Sequence, residues 1–292
     1  MQPLVSVILT SFNRPQELLR ALKSVQSQTY TNIEIIVIDD FSTPPVTLPP
    51  TLNSSLPIKL FRNSTNCHLS YSRNLGVSLS SGSYLAFLDD DDYWHPHKLA
   101  TQISYMIANK SLASYTDTVF FDIHGAIPSR FTGKAHGNIF DLTLIGQPTG
   151  NMSSYVIHRQ LFELTTGFDR YIRKGVDGLF IRQIAFHSPI SFIPEPLTYY
   201  SVNTSGGQIT SNSKLSRRRS LKSYRLTLLR HKSSLDLRPY HRSIIYLRIS
   251  LTYFLLGKYS LFLKYFIAFV RFLISSLMLP AKIIYYSFHT SS

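Results

Sequence analysis

The chain has 292 residues, 44% hydrophobic and 13% aromatic, enough apolar material for one large α/β domain or for a domain of about 200–220 residues with an appendage. Its one cysteine, Cys67, excludes an intramolecular disulfide framework and points to a reducing compartment. The net charge of +14 lies at one end: residues 1–213 hold 15 Lys/Arg and 15 Asp/Glu, whereas residues 214–292 hold 15 Lys/Arg and one acid, Asp236.

A neutral body with a basic tail suggests chemistry in the first part and attachment to something anionic in the second. The opening MQPLVSVILTSFNRP has no basic n-region and no small-residue cleavage site. No signal peptide is expected, and a cytoplasmic location follows.

Val5–Thr10 (VSVILT) is an apolar, β-branched run suited to a strand buried on both faces. Asn13 and Pro15 give helix-start chemistry, and Leu18, Leu22 and Val25 follow at helical spacing. Ile33–Ile38 is a second buried strand ending in Asp39 and Asp40, so the first forty residues read as a βαβ unit with a parallel pair. Residues 42–57 contain five prolines and no period, which predicts a surface loop. Ile58–Phe61 is a third strand, and Ser70 is expected to cap a helix running to Ser80, with Gly82 just beyond. Tyr84–Leu88 is a fourth buried strand leading into Asp89, Asp90, Asp91 and Asp92. A helix over Pro96–Asn109, a strand over Tyr115–Phe121, a substrate-facing loop around Thr132–Asn151 and a helix over Val176–Phe186 complete the body.

Ligands of open parallel sheets bind at the carboxyl ends of strands, where strand order reverses. Three polar clusters fall at such ends: Thr10 to Asn13, Asp39-Asp40, and Asp89 to Asp92. Neither GxGxxG nor GxxxxGK[ST] occurs, so a diphosphate has to be neutralised by other means. Four consecutive carboxylates repel one another unless a cation sits among them, and carboxylate oxygens suit Mg²⁺ or Mn²⁺. On an extended segment Asp89 and Asp91 would share a face and one ion. His95, His97, His136 and His158 lack the spacing of a zinc site.

The segments VSVILTSFNRPQELLRALKSVQSQTYTNIEIIVIDDFS and SYSRNLGVSLSSGSYLAFLDDDDYW resemble the nucleotide-binding half of a family 2 glycosyltransferase of the GT-A fold. The likeness is close over about residues 4–110 and looser to about residue 203. It implies a Rossmann-like α/β domain over residues 1–210, its mostly parallel central sheet flanked by helices. It also implies metal-dependent, inverting transfer of a single sugar from a UDP-sugar or dTDP-sugar. Carried over position by position, Thr10 and Asn13 belong to the nucleoside end of the site. Asp40 is the acceptor for the N3–H of the base, and Arg73 the basic residue near base and phosphates. Asp89 and Asp90 lie near ribose and sugar, Asp91 is the metal ligand, and Asp92 is structural. The family draws its general base from a Glu-Asp pair after a GFDE-like segment. GFDRYIRKGVDGLF offers Asp177, with Val176 where the glutamate would stand. Asp169 is the competitor, with a turn-holding role the better fit. The QxxRW signature of processive synthases is absent. A non-catalytic sugar-nucleotide or glycan binder on the same fold is the alternative.

Residues 211–292 form a basic, mostly helical region. Lys214–Lys232 reads as a basic helix. Tyr253–Phe288 is aliphatic and aromatic, with charge-free stretches of 6 and 10 residues around Lys264, Arg271 and Lys282, short of the roughly 20 residues that span a bilayer. That pattern predicts helices lying among anionic headgroups. It favours a lipid-linked glycan acceptor at the cytoplasmic face of the cell membrane, with no role in nucleic-acid binding.

Overall fold

The computed structural model describes residues 2–49, 52, 56–122, 125–127, 134–146, 149–202 and 214–289. It divides into two compact units, Met1–Gln208 and Ile209–Ser292. The expected boundary at residue 210, and parts of the 42–57 and 132–151 segments, fall outside the described residues.

The first unit is built on a nine-stranded sheet. Strands β1 (Val5–Ser11), β2 (Ile33–Asp39), β3 (Ile58–Arg62) and β4 (Tyr84–Asp89) form its parallel half. Every residue of β1 and β2 is buried, which is why both appear in the sequence as unbroken apolar runs. Helices α1 (Pro15–Gln26), α2 (His68–Ser78) and α3 (Lys98–Ala108) accompany this half. Leu18, Leu22 and Val25 of α1 and Leu99, Ile103 and Met106 of α3 join Val5, Val7, Ile35 and Val37 in one core.

The remaining strands are β5 (Tyr93–Trp94), β6 (Ala113–Asp122), β7 (Gly125–Ile127), β8 (Tyr155–His158) and β9 (Ser191–Ser201). The sheet order is β3-β2-β1-β4-β8-β6-β9-β5, with β7 paired to β6. The chain runs outward from β1 to β3 and then returns to place β4 on the other side of β1. The switch point therefore lies between β1 and β4, where Thr10 stands level with Asp89 and Ser11 with Asp39.

Three local expectations change. First, α2 begins at His68, with Ser70 buried inside the helix. The first backbone N–H groups of a helix need an acceptor. Asp40 supplies it from β2, accepting from Cys67 N and His68 N at 2.8 Å each. Second, the 132–151 segment contains a short helix, α4 (Phe140–Ile145). Third, Leu52, in the proline-rich segment, is buried against the core rather than exposed on a surface loop.

Glu34 on β2 shows how tightly the amino ends of the strands are tied. Its carboxylate accepts from Ser6 Oγ (2.7 Å), Gly82 N (3.1 Å), Ser81 and Lys59 Nζ (3.2 Å). Gly82 is required by close approach, since a Cβ there would meet Ser6 N at 2.7 Å and Leu4 O at 2.8 Å. Burial alone would raise Glu34. The Ser81 and Ser6 donors and Lys59 outweigh it and hold the carboxyl at about 2. That stabilisation is fully present above the ordinary value of 4.5 and is lost as pH falls toward 2. Urea unfolding should favour the wild type over Glu34→Gln by roughly 2–3 kcal/mol at pH 7. The advantage should shrink toward zero below about pH 3.

The second unit is helical: α7 (Lys214–Arg230), α8 (Lys232–Asp236), α9 (Pro239–Leu255) and α10 (Tyr259–His289), with α5 (Arg159–Glu163) and α6 (Val176–His187) belonging to the first unit. Within α10, Tyr259–Leu277 is 19 residues long with a mean hydropathy of 1.6. Despite Lys264 and Arg271 it is long and apolar enough, by length and composition, to cross a membrane, which the short charge-free stretches did not suggest.

Candidate active site

The four aspartates do not stay extended. Asp92 N donates to Asp89 O at 3.1 Å, turning the chain as it leaves β4 and ending the period-2 alternation that would have paired Asp89 with Asp91. The carboxylates then part: Asp92 turns inward, Asp90 and Asp91 share one cation, and Asp89 meets another. Asp92 is fully buried and accepts from Ser153 Oγ (2.6 Å), Asn151 Nδ2 (3.3 Å) and Ser201 N (3.0 Å). Burial pushes its carboxyl well above the usual range. Asp92→Ala would leave these donors unpaired and should lower unfolding free energy by roughly 2–4 kcal/mol, read from urea midpoints.

Asp90 and Asp91 converge on Arg14. Its Nη1 lies 3.2 Å from Asp90 Oδ1 and 2.6 Å from Asp91 Oδ2. Asp90 also accepts from Phe12 N at 3.3 Å. Burial raises the Asp90 carboxyl to about 7 against the pull of Arg14. Arg20 Nη2 donates to Asp91 O at 2.6 Å. Two carboxylate oxygens thus already meet at one cationic atom. Among the described residues no three His, Cys, Asp or Glu side chains gather as a metal cage. One or two carboxylates with open positions left for phosphate and water is the donor set Mg²⁺ and Mn²⁺ favour, so these residues fit such an ion.

Asp89 faces elsewhere. Arg73, 1% exposed, donates through Nη2 to Asp89 Oδ1 (2.6 Å) and through Nη1 to Asp177 Oδ1 (2.7 Å). Its guanidinium lies over the Phe168 ring at 5.1 Å. Burial alone would lower Arg73, and the two carboxylates more than reverse it. Burial likewise raises Asp89, opposed by Arg73. Asp89 and Asp177 keep 27% and 24% of their side chains exposed. Asp177, in the first turn of α6, also accepts from Met152 N at 3.3 Å.

The structure therefore joins Asp89, Asp177 and Arg73, and joins Asp90 with Asp91. Thr10 is buried at the end of β1 beside Asp89. Asn13, in left-handed backbone with φ of 56°, accepts from Thr43 N through Oδ1 (2.7 Å), and its N–H donates to Ser42 Oγ (2.9 Å). It ties the β1–α1 turn to the loop after β2. Asp40 accepts from Asn63 Nδ2 (2.7 Å) besides the α2 amides. Asp169 accepts from Tyr171 N in an exposed turn. Trp94 is buried, with Nε1 donating to Ser153 O at 2.8 Å. Arg14, Asn151 and Ser153 were not anticipated. Arg14 lies within the quoted SFNRP motif, whereas Asn151 and Ser153 carry no local signal.

Residues 6–147 match the family described as Glycosyl transferase family 2. An uncharacterised glycosyltransferase of Rickettsia conorii is 32% identical over 212 residues, covering 70% of this chain and 34% of the relative. The chain thus spans about a third of that relative's length. The Escherichia coli protein named UDP-Glc:alpha-D-GlcNAc-diphosphoundecaprenol beta-1,3-glucosyltransferase WfaP is 35% identical over 114 residues, covering 39% of this chain and 45% of WfaP. Among solved structures, S. aureus TarS 1-349 in complex with UDP-GlcNAc superposes with a TM-score of 0.61 at 16% identity, covering 92% of each chain; that likeness concerns the fold. With its parallel half-sheet, switch-point carboxylates and matched segment over residues 6–147, the chain carries a family 2 glycosyltransferase domain on a GT-A-like fold.

Proposed function

We propose that the protein transfers a single sugar, with inversion and with Mn²⁺ or Mg²⁺, from a UDP-sugar, or a dTDP-sugar with the same base edge, to a lipid-linked glycan in surface polysaccharide synthesis. The observation that carries this reading is the Arg73 clamp, which holds Asp89 from the end of β4 and Asp177 from the start of α6 against one guanidinium. Asp177 takes the proton from the acceptor hydroxyl as it attacks the anomeric carbon from the face opposite the diphosphate. Arg73 and Met152 N fix the direction of that carboxylate.

Asp91, with Asp90 beside it, would hold the divalent ion. When bound, the ion stabilises the departing diphosphate as a Lewis acid. Thr10 lies at the nucleoside end. Asp40 Oδ2 accepts one hydrogen bond from the chain and retains a lone pair for the base N3–H. A UDP-sugar donor and a lipid-linked acceptor agree with the UDP-GlcNAc complex of TarS and the name of WfaP. The basic second unit would keep the enzyme on the anionic inner face of the membrane, where such an acceptor resides.

A thermal-shift panel of nucleotide-sugars with and without Mn²⁺ tests the reading, because a ligand of the folded state raises its melting temperature. A Mn²⁺-dependent rise with a uridine or thymidine diphosphate sugar is expected. A rise only with guanosine or cytidine donors, or with none, overturns it.

A further inference from the structure

We infer that α10 lies in the plane of an anionic membrane as a one-leaflet anchor, with one face in the acyl region and its cations among the headgroups. This rests on the membrane attachment proposed above and names how the second unit makes it.

Helix α10 has three distinct faces. One packs on α9: Phe272 stacks on Tyr246 at 5.4 Å, Tyr265 on Tyr253 at 5.4 Å, and Phe262 meets Phe254 at 5.4 Å. A second is apolar and bare. Tyr259, Leu263, Ile267, Val270, Ile274 and Leu277 recur at three- and four-residue spacing, each between 37% and 72% exposed, which aligns them along one side of the helix. Leu251, Phe254 and Leu255, at 49% to 56% exposed, extend the apolar surface onto the end of α9.

The third face carries Lys264 and Arg271, both exposed. Seven residues apart, they lie two turns along the same side and border the stripe at Ile267 and Ile274. The unit's one acidic side chain, Asp236, pairs with Lys232 and Arg242, so among the described residues of this unit Lys264 and Arg271 have no carboxylate partner. At the α9–α10 turn, Arg217 Nη1 donates to Leu255 O at 3.2 Å. That bond brings the Arg217-Arg218-Arg219 start of α7 beside exposed Phe254 and Leu255.

The cations decide between crossing and lying flat. If Tyr259–Leu277 crossed the bilayer, Lys264 and Arg271 would sit about 8 and 9 Å inside the hydrocarbon from opposite ends, at 1.5 Å per residue, each at a cost in desolvation. Lying flat, the helix buries the stripe while both cations stay at headgroup level, where anionic lipid supplies the missing countercharge. A second copy of this chain would place like charges against one another beside the shared stripe, so a lipid surface is the better occupant.

The test is a nitroxide scan of the full-length protein in a Cys67→Ser background, with single cysteines from residue 259 to residue 277. Depth is read from oxygen and nickel-chelate collision rates on phosphatidylcholine vesicles containing about one-third phosphatidylglycerol. Depth should oscillate with the helical period, greatest at positions 263, 267, 270 and 274, intermediate at 264 and 271, and least at 265 and 272 on the side facing α9. Leu263→Asp with Ile267→Asp should abolish vesicle binding, and Lys264→Gln with Arg271→Gln should weaken it roughly thirtyfold. In both, the Mn²⁺-dependent thermal shift with donor should be unchanged. A depth profile that changes steadily along the axis overturns the in-plane anchor in favour of a crossing helix while leaving attachment intact. Protection of the stripe in solution without vesicles overturns it in favour of a second copy. Failure of the full-length protein to bind vesicles sinks membrane attachment itself, and the anchor with it.

Discussion

Asp177→Asn is expected to lower turnover by a factor of roughly 10²–10⁴ while donor affinity stays within a few-fold of wild type. Asparagine keeps an oxygen for the Arg73 Nη1 bond now made at 2.7 Å and nearly the same volume, so the cleft should hold its shape. It cannot accept the acceptor's proton, which removes the interaction needed only in the transition state. Product formation under single-turnover conditions gives the rate, and the Mn²⁺-dependent thermal shift with donor gives binding and folding together. Asp169→Asn is the control. Asp169 braces an exposed turn through Tyr171 N, and its replacement should leave turnover within about twofold, as for surface changes in general. Turnover within tenfold of wild type in Asp177→Asn would end the assignment of Asp177 as base. A collapse in melting temperature would instead mark the Arg73 bridge as the residue's main business.

The parallel half of the sheet was legible because burial on both faces leaves unbroken apolar runs in VSVILT and IEIIVI, and because Asn13 and Pro15 announce a helix. In the mixed half, β6 was expected as Tyr115–Phe121, but most of the rest was not legible. Strand β9 contains Pro194 and Pro196, and its register with β6 shifts at Thr116 and Asp117, so it shows neither period nor continuity. The position of the carboxylates at the mouth of β4 could be read, but their separate environments could not. Asp92 is held by hydrogen bonds from Ser153 and Ser201, 61 and 109 residues downstream. Arg14 reaches Asp91 across 77 residues. The start of α2 moved for the same reason, since its cap is a carboxylate from another strand. Contacts of this range are fixed by topology and leave no local pattern.

Asp91→Ala should abolish the Mn²⁺-dependent part of UDP binding while leaving the fold intact. Among the described residues the carboxylate accepts only from Arg14, which keeps its bond to Asp90, so its loss strands no buried donor set, unlike Asp92. A second substitution separates two explanations of such a loss. If Asp91 serves only to hold Arg14, then Arg14→Ala should weaken Mn²⁺-dependent UDP binding as Asp91→Ala does. If Asp90 and Asp91 are the ion's ligands, Arg14 is a competing cation at the same oxygens, 3.2 and 2.6 Å away. Removing it should then tighten Mn²⁺ binding. Titration of Mn²⁺ by electron paramagnetic resonance, with and without UDP, reads both variants directly. Opposite signs for the two substitutions are the expected result. UDP affinity that is independent of metal in the wild type, or equally weakened in both variants, would remove the ion from these carboxylates.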